Sequence, residues 1–107
     1  MRERDDFFIQ ATLQSPEWVG YVPEGQSWKY AMEGRYRYDG DKPLNTNGGR
    51  TSFGHAHAAS GLADVYEAVL QIRGEAGERQ CTKPIHTALL RGYGGGQNFT
   101  ANILRAL

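Results

Sequence analysis

Gly54-His55-Ala56-His57-Ala58-Ala59-Ser60-Gly61 runs straight into Leu62-Ala63-Asp64-Val65-Tyr66-Glu67-Ala68-Val69-Leu70-Gln71-Ile72-Arg73, and the reading of this junction decides the fold. Leu62, Val65, Tyr66, Val69, Leu70 and Ile72 recur at the spacing of one helix face. Ser60 is placed to cap that helix, and Gly74 or Gly77 to end it. A polar, hairpin-like stretch over 74–83 follows, then the apolar run Ile85-His86-Thr87-Ala88-Leu89-Leu90, which reads as a buried strand. Gly92-Tyr93-Gly94-Gly95-Gly96-Gln97 reads as a tight turn, and residues 98–104 alternate enough for a second strand, antiparallel to the first. Helix, strand and strand in this order give an α/β class.

Upstream, residues 6–13 carry apolar positions at helical spacing behind acidic residues that suit the positive end of the helix dipole. Pro16 is expected to restart or kink this helix and Gly20 to stop it, with Trp18, Val19 and Tyr21 packing it down. The stretch 23–42 is aromatic, charged and broken by glycines. It reads as an ordered excursion with a short helix over 27–33. Tyr30, Arg35, Tyr36, Arg37 and Tyr38 are of the types that stack on bases and pair with phosphate, but a solvated, partly packed loop is the preferred reading.

The reason is charge. Twelve acidic and twelve basic residues balance, so no net field draws the chain to nucleic acid or to anionic lipid. The 107 residues suffice for one domain, 1–107, or a lobe of a larger one. The single cysteine, Cys81, builds no internal disulfide framework, no apolar run approaches the ~20 residues of a membrane span, and no leader pattern is visible. A cytoplasmic, reducing compartment is expected.

His55 lies in a loop just before the best helix, where the dipole disfavours imidazolium and leaves a neutral ring able to take a proton. That is the setting of a general base, although loop histidines also serve packing. Gly48, Gly49, Gly54 and Gly61 permit positive φ and close approach of a ligand. His55 and His57 form an H-x-H pair with Cys81 or His86 as a conceivable third ligand, yet no CxxC or HExxH pattern accompanies them, and no metal is expected. His86 reads as a core or edge histidine, and Cys81 lacks the surroundings of a nucleophile. Gly94-Gly95-Gly96 lies between two strands with no following lysine, which argues against a phosphate cradle. Its amides suit an oxyanion instead, where one donor is worth about 3 kcal/mol of barrier, or the run is simply a turn.

Taken together, Asn45-Thr46-Asn47-Gly48-Gly49, the stretch 54–61, Arg73-Gly74-Glu75-Ala76-Gly77-Glu78-Arg79-Gln80 and Gly92-Tyr93-Gly94-Gly95-Gly96 resemble, in order, the C-terminal part of thiolase-like enzymes. The likeness is strongest to sterol carrier protein-type thiolases of the acetyl-CoA acetyltransferase family. It implies two α/β halves, each a mixed five-stranded sheet with covering helices, of which this chain is the last part of the second: a partial thiolase-like fold, the C-terminal lobe. It also implies that His55 is the histidine that activates the nucleophilic cysteine and helps bind the thioester oxygen, and that the Gly94 amide contributes to an oxyanion hole. Asn45, Gly49 and Tyr93 fall on the substrate side.

Ala56 and Ala58 replace a proline and a glycine of that pattern, Arg4 stands where asparagine or histidine is expected, and Gly92 stands where many relatives carry a second, acid/base cysteine. The nucleophilic cysteine belongs to an N-terminal half. The expected function is therefore the C-terminal portion of an acyl-CoA acyltransferase, with a coenzyme A thioester as substrate and no other cofactor. Its partner is an N-terminal thiolase half or a homologous chain, in a homo- or hetero-oligomer. The alternatives are an aldolase or retro-aldolase acting on a CoA thioester, with His55 or Tyr93 as acid/base, and a non-catalytic assembly module. A lobe of this kind should expose some of Phe7, Phe8, Leu62 and Val65.

Overall fold

The apolar run in the last quarter of the chain becomes β2 (Thr87–Gly94), the central strand of a three-stranded sheet. The computed structural model describes residues 1–4, 9–94 and 98–107. On one side β2 pairs antiparallel with β3 (Asn98–Arg105), Leu89 opposite Ile103 and Gly94 opposite Asn98. On the other it pairs in parallel with β1 (Arg2–Arg4), Glu3 opposite Leu90. The sheet is thus mixed, as the resemblance implies. Nothing in the local sequence announces β1. A parallel neighbour requires a long crossover, and all the helices lie in that crossover. Gly92, Tyr93 and Gly94 extend β2 and are not part of the turn expected there. The connection itself, 95–97, and Phe7 and Phe8 fall outside the described residues.

Four α-helices fill the crossover: α1 (Ile9–Trp18), α2 (Ser27–Met32), α3 (Gly49–Phe53) and α4 (Ala59–Arg73). Three of them stop in one way. At each end stands a glycine in the left-handed region, Gly20, Gly34 or Gly74, and the next amide reaches back to a carbonyl five residues earlier: Tyr21 to Pro16, 2.8 Å; Arg35 to Tyr30, 2.9 Å; Glu75 to Leu70, 2.9 Å. That double-bonded end closes carbonyls that the helix leaves open. Pro16 lies inside a continuous α1 and does not restart it. Trp18, expected to pack α1 down, is 67 % exposed, and Val22 is the buried anchor.

The excursion over 23–44 is ordered by its own hydrogen bonds. The Glu17 carboxylate accepts the Ser27 amide at 2.8 Å and so caps α2 from outside it, which holds that carboxyl below the usual range. Ser27 Oγ meets the Tyr36 hydroxyl at 2.6 Å, and Leu44 N bonds Tyr36 O. Arg35 stacks on Tyr30 and forms a two-pronged pair with Asp41, while Arg37 pairs with Asp39. The arginines and tyrosines are thus engaged with one another and with acidic neighbours, as the loop reading expects.

The Arg35 guanidinium lowers the Asp41 carboxyl to about 2. A group whose folded value is depressed stabilises the fold above its unfolded value, ~3.9, and loses that contribution as pH falls through the folded one. We expect stability to decline between about pH 4 and pH 2, and Asp41→Asn to flatten this part of the profile when unfolding midpoints are compared. The effect is modest, because the carboxylate is 39 % exposed and screened by salt.

Helix α4 lies against β2 and β1. Ala68 packs on Ala88 and Leu90, with Met1, Ile72 and Leu104 at the margin. Beside this small apolar contact the buried face is polar: Ser60, Asp64, Glu67 and Gln71. Leu62 and Val65, expected among the exposed apolar residues of such a lobe, are indeed exposed, as is Tyr66 on the same helix face.

Gln71, 1 % exposed, explains why the buried face is polar. Its amide nitrogen donates to Glu67 Oε1 at 3.0 Å and to the Arg79 carbonyl at 2.9 Å, and its oxygen accepts the Cys81 amide at 2.9 Å. Thr46 Oγ1 donates to Glu67 Oε1 at 2.8 Å, and Arg79 Nε to Glu67 Oε2 at 2.9 Å. Thus α4 holds two loops by hydrogen bonds, and the stretch 74–83 is a turn with a 3₁₀ segment (Gly77–Arg79), not a hairpin. The double substitution Leu62→Glu, Tyr66→Glu is expected to shift stability by no more than about 0.5 kcal/mol per site and to reduce apolar-dye fluorescence. Thermal unfolding followed beside dye binding checks both.

Candidate functional site

The loop that carries His55 is shaped at both ends. Before it, Gly54 sits at φ +96°, ψ 169°, a conformation that essentially only glycine adopts, and this turns the chain out of α3. After it, residues 56–60 fold through a turn in which the Ala59 amide bonds Ala56 O and the Ser60 amide bonds His57 O, both at 3.1 Å. His57 takes a left-handed φ of +48°. Gly61, by contrast, is an ordinary helical residue.

Ser60 does not cap the helix as expected. Helix α4 begins one residue earlier, and the Ser60 hydroxyl turns back to the loop, 2.9 Å from His55 Nδ1 and 2.9 Å from the Ala56 amide, which donates to it. The imidazole is thereby anchored by one nitrogen while the residue stays exposed. The His57 ring lies beside it, centroids 5.4 Å apart.

Below the loop is a buried ion pair that local sequence does not announce. Arg50 Nη2 reaches Asp64 Oδ2 at 2.6 Å, with the two side chains 1 % and 5 % exposed, and also donates to the Ser60 carbonyl at 2.7 Å. The partners are 14 residues apart. Their one sequence signal is that Asp64 lies between apolar residues, Leu62 and Ala63 before it and Val65 and Tyr66 after it. This pair fastens α3 to the first turns of α4 and so fixes the span that carries His55.

Arg50, Phe53, Gly54, His55, Ala56, Ala59, Ser60 and Ala63 line a cleft of about 340 Å³. Beside it, sharing Phe53 and Ala63, lies a hollow of about 160 Å³ that includes Asn47, Tyr66, Glu67 and Arg79. The cleft is mostly apolar with one imidazole on its wall, an arrangement that can receive a thioester or a carbonyl. Asn45, at φ +49°, and Gly49, the buried first residue of α3, are not among the residues lining it.

Tyr93 and Gly94 are the last two residues of β2. Helix α4 packs on β2, and Ile72, Arg73 and Gly74 at its far end share a cleft with Ile85 and His86 at the entry to β2. The helix and the strand therefore run in opposite senses, with similar lengths of about 22 and 26 Å.

His86 is exposed at the mouth of β2, not buried in it, and its carbonyl accepts the Ala106 amide. Cys81 is buried. Among the described residues no three His, Cys, Asp or Glu side chains converge as a metal site, and no helix is long and apolar enough to cross a membrane.

Residues 2–105 match a family described as thiolase C-terminal domain-like. The chain is 42 % identical over 76 residues to an acetyl-CoA acetyltransferase of Methanothermobacter thermautotrophicus, covering 71 % of this chain and 20 % of that protein. It is 41 % identical over 78 residues to sterol carrier protein 2 of Bos taurus, covering 73 % and 14 %. To the benzoylsuccinyl-CoA thiolase subunit BbsB of Thauera aromatica it is 31 % identical over 94 residues, covering 88 % and 24 %. The chain thus spans a quarter or less of the length of these relatives.

Proposed function

The chain belongs to the thiolase C-terminal domain-like family, and from that premise we propose that it forms the C-terminal part of an acyl-CoA acyltransferase. The nucleophilic cysteine comes from a segment outside this sequence. The observation that carries the reading is His55, exposed on the wall of the cleft with Nδ1 held by Ser60.

In this reading the cysteine thiol gives its proton to His55, and the thiolate attacks the thioester carbonyl. The tetrahedral oxyanion then collapses: the carbon–sulfur bond to coenzyme A breaks, the acyl group stays on the cysteine, and the leaving thiolate takes the proton back. The Gly94 amide is the proposed donor to the oxyanion. The opposed directions of α4 and β2 support it, since the start of α4 and the end of β2 then share one end of the layer. Asn45, Gly49 and Tyr93 are proposed to shape the substrate side. The exposed Leu62, Val65 and Tyr66 supply an apolar face for the segment that brings the cysteine.

The test is reconstitution. The chain is co-expressed with the N-terminal segment of a thiolase relative, complex formation is checked by gel filtration, and coenzyme A release from acetyl-CoA or acetoacetyl-CoA is followed. Release only by the complex is the expected result. A stable complex with no release would favour an assembly role.

A further inference from the structure

We propose that β3 is the pairing edge of a dimer of this chain, in which two copies set their β3 strands antiparallel about a two-fold axis at Asn102 and join their sheets into one. Strand β3 ends the order β1-β2-β3, so among the described residues no strand pairs with its outer side. The Ala106 amide bonds the His86 carbonyl, whereas the Leu89 amide bonds Met1 O on the far side of β2. Antiparallel neighbours alternate in this respect, so Thr100, Asn102 and Leu104 turn their backbone groups to β2, and Phe99, Ala101, Ile103 and Arg105 turn theirs outward. Such an open row of N–H and C=O groups accepts another strand.

The devices that usually blunt an edge are missing from this one. The register with β2 runs without a bulge from Asn98 to Arg105, and residues 98–104 hold neither a charge nor a proline. Phe99 and Ile103, on the face turned away from α4, are 54 % and 71 % exposed. Helix α4 lies over β2 and β1, which leaves room for a fourth strand beside β3.

A second copy is the occupant because the edge complements itself in both charge and size. With the axis at Asn102, the outward residues pair as Ala101 with the partner's Ile103 and Arg105 with the partner's Phe99. Small then meets large, and the one charge of the strand meets a ring. The two Arg105 side chains stand about 20 Å apart along the strands, so they do not repel closely. On the other face Asn102 meets the partner's Asn102, and each amide can both donate and accept.

The pairing is tested on the chain alone, with no acyl-transfer assay, by sedimentation velocity over a concentration series and by cysteine cross-linking. The expected result is a monomer–dimer equilibrium that Ile103→Lys weakens by about tenfold or more, since a charge on an edge strand opposes pairing. Ala101→Pro, which removes an outward N–H and no bond to β2, should weaken it likewise. Leu62→Glu, Tyr66→Glu on α4 should leave it unchanged. Under mild oxidation Asn102→Cys should link two copies, because its α-carbon lies about 4.5 Å from its counterpart, within disulfide range. Thr100→Cys, about 13 Å from its own counterpart, should not. A chain that is monomeric at every concentration overturns the proposal, as does a dimer that folded Ile103→Lys keeps in full or that only the α4 changes abolish. Cross-linking of Thr100→Cys as readily as Asn102→Cys also overturns it.

Discussion

Arg50→Met is expected to cost the fold about 3–5 kcal/mol, the penalty for leaving one member of a buried ion pair without its partner. Asp64 is almost wholly enclosed, and Arg50 Nη2 is its counter-ion at 2.6 Å. Removing the guanidinium takes the counter-ion from the buried carboxylate and also removes the donor to the Ser60 carbonyl. Against a total stability on the order of 5–15 kcal/mol, such a loss is a large fraction. The double change Arg50→Met, Asp64→Leu should recover most of it, since an apolar pair of similar volume is often as stable as the ion pair it replaces. Urea midpoints of the three chains decide the matter. A single-variant loss below about 1 kcal/mol is the value for an exposed pair and would contradict the burial on which the site's support rests.

His55→Ala should lower the acyl-transfer rate of the reconstituted complex by about 10²–10⁴, the usual contribution of a positioned acid or base. Stability should change by no more than about 0.5 kcal/mol, because His55 is exposed. That separation distinguishes a chemical role from a structural one. His57→Ala is the control: its ring lies 5.4 Å from His55 and carries no part of the proposed proton transfer, so the rate should stay within a few-fold. Equal losses from both variants would point to loop shape and not to one imidazole.

Much of the helix and strand content was legible because it rests on short-range rules. The short helix after residue 26, the long helix after the His55 loop, and the strand after residue 97 follow from spacing and from glycine at helix ends. What escaped is long-range. Arg2–Arg4 is three polar residues, a strand only because β2 offers it an edge. Gly49–Phe53 is a single turn of helix amid glycines, and Gly92 to Gly94 are extended because β3 pairs with them.

The exposure of Leu62 and Val65 was expected from the likeness to a lobe, but the polar buried face of α4 was not foreseen. A period-3.6 apolar stripe is assumed to point inward, and here Glu67 and Gln71 point inward because they hold the loops at Thr46 and at Arg79 to Cys81. A stripe left outside is intelligible for a chain that spans a quarter or less of its relatives' length. The site was legible in the same partial way. Dense glycines around His55 marked the loop, whereas its supports, Ser60, Arg50 and Asp64, became visible only when α3 and α4 were brought together.

The central claim is that this chain supplies the imidazole and another segment supplies the nucleophile. Its most direct test is mass spectrometry of the reconstituted complex, quenched in acid after brief exposure to acyl-CoA. The account predicts an acyl group on the cysteine of the N-terminal segment, present with the unmodified chain and strongly reduced with His55→Ala. Acylation of Cys81 in this chain, or acylation of the N-terminal cysteine at the same rate with and without His55, would contradict it.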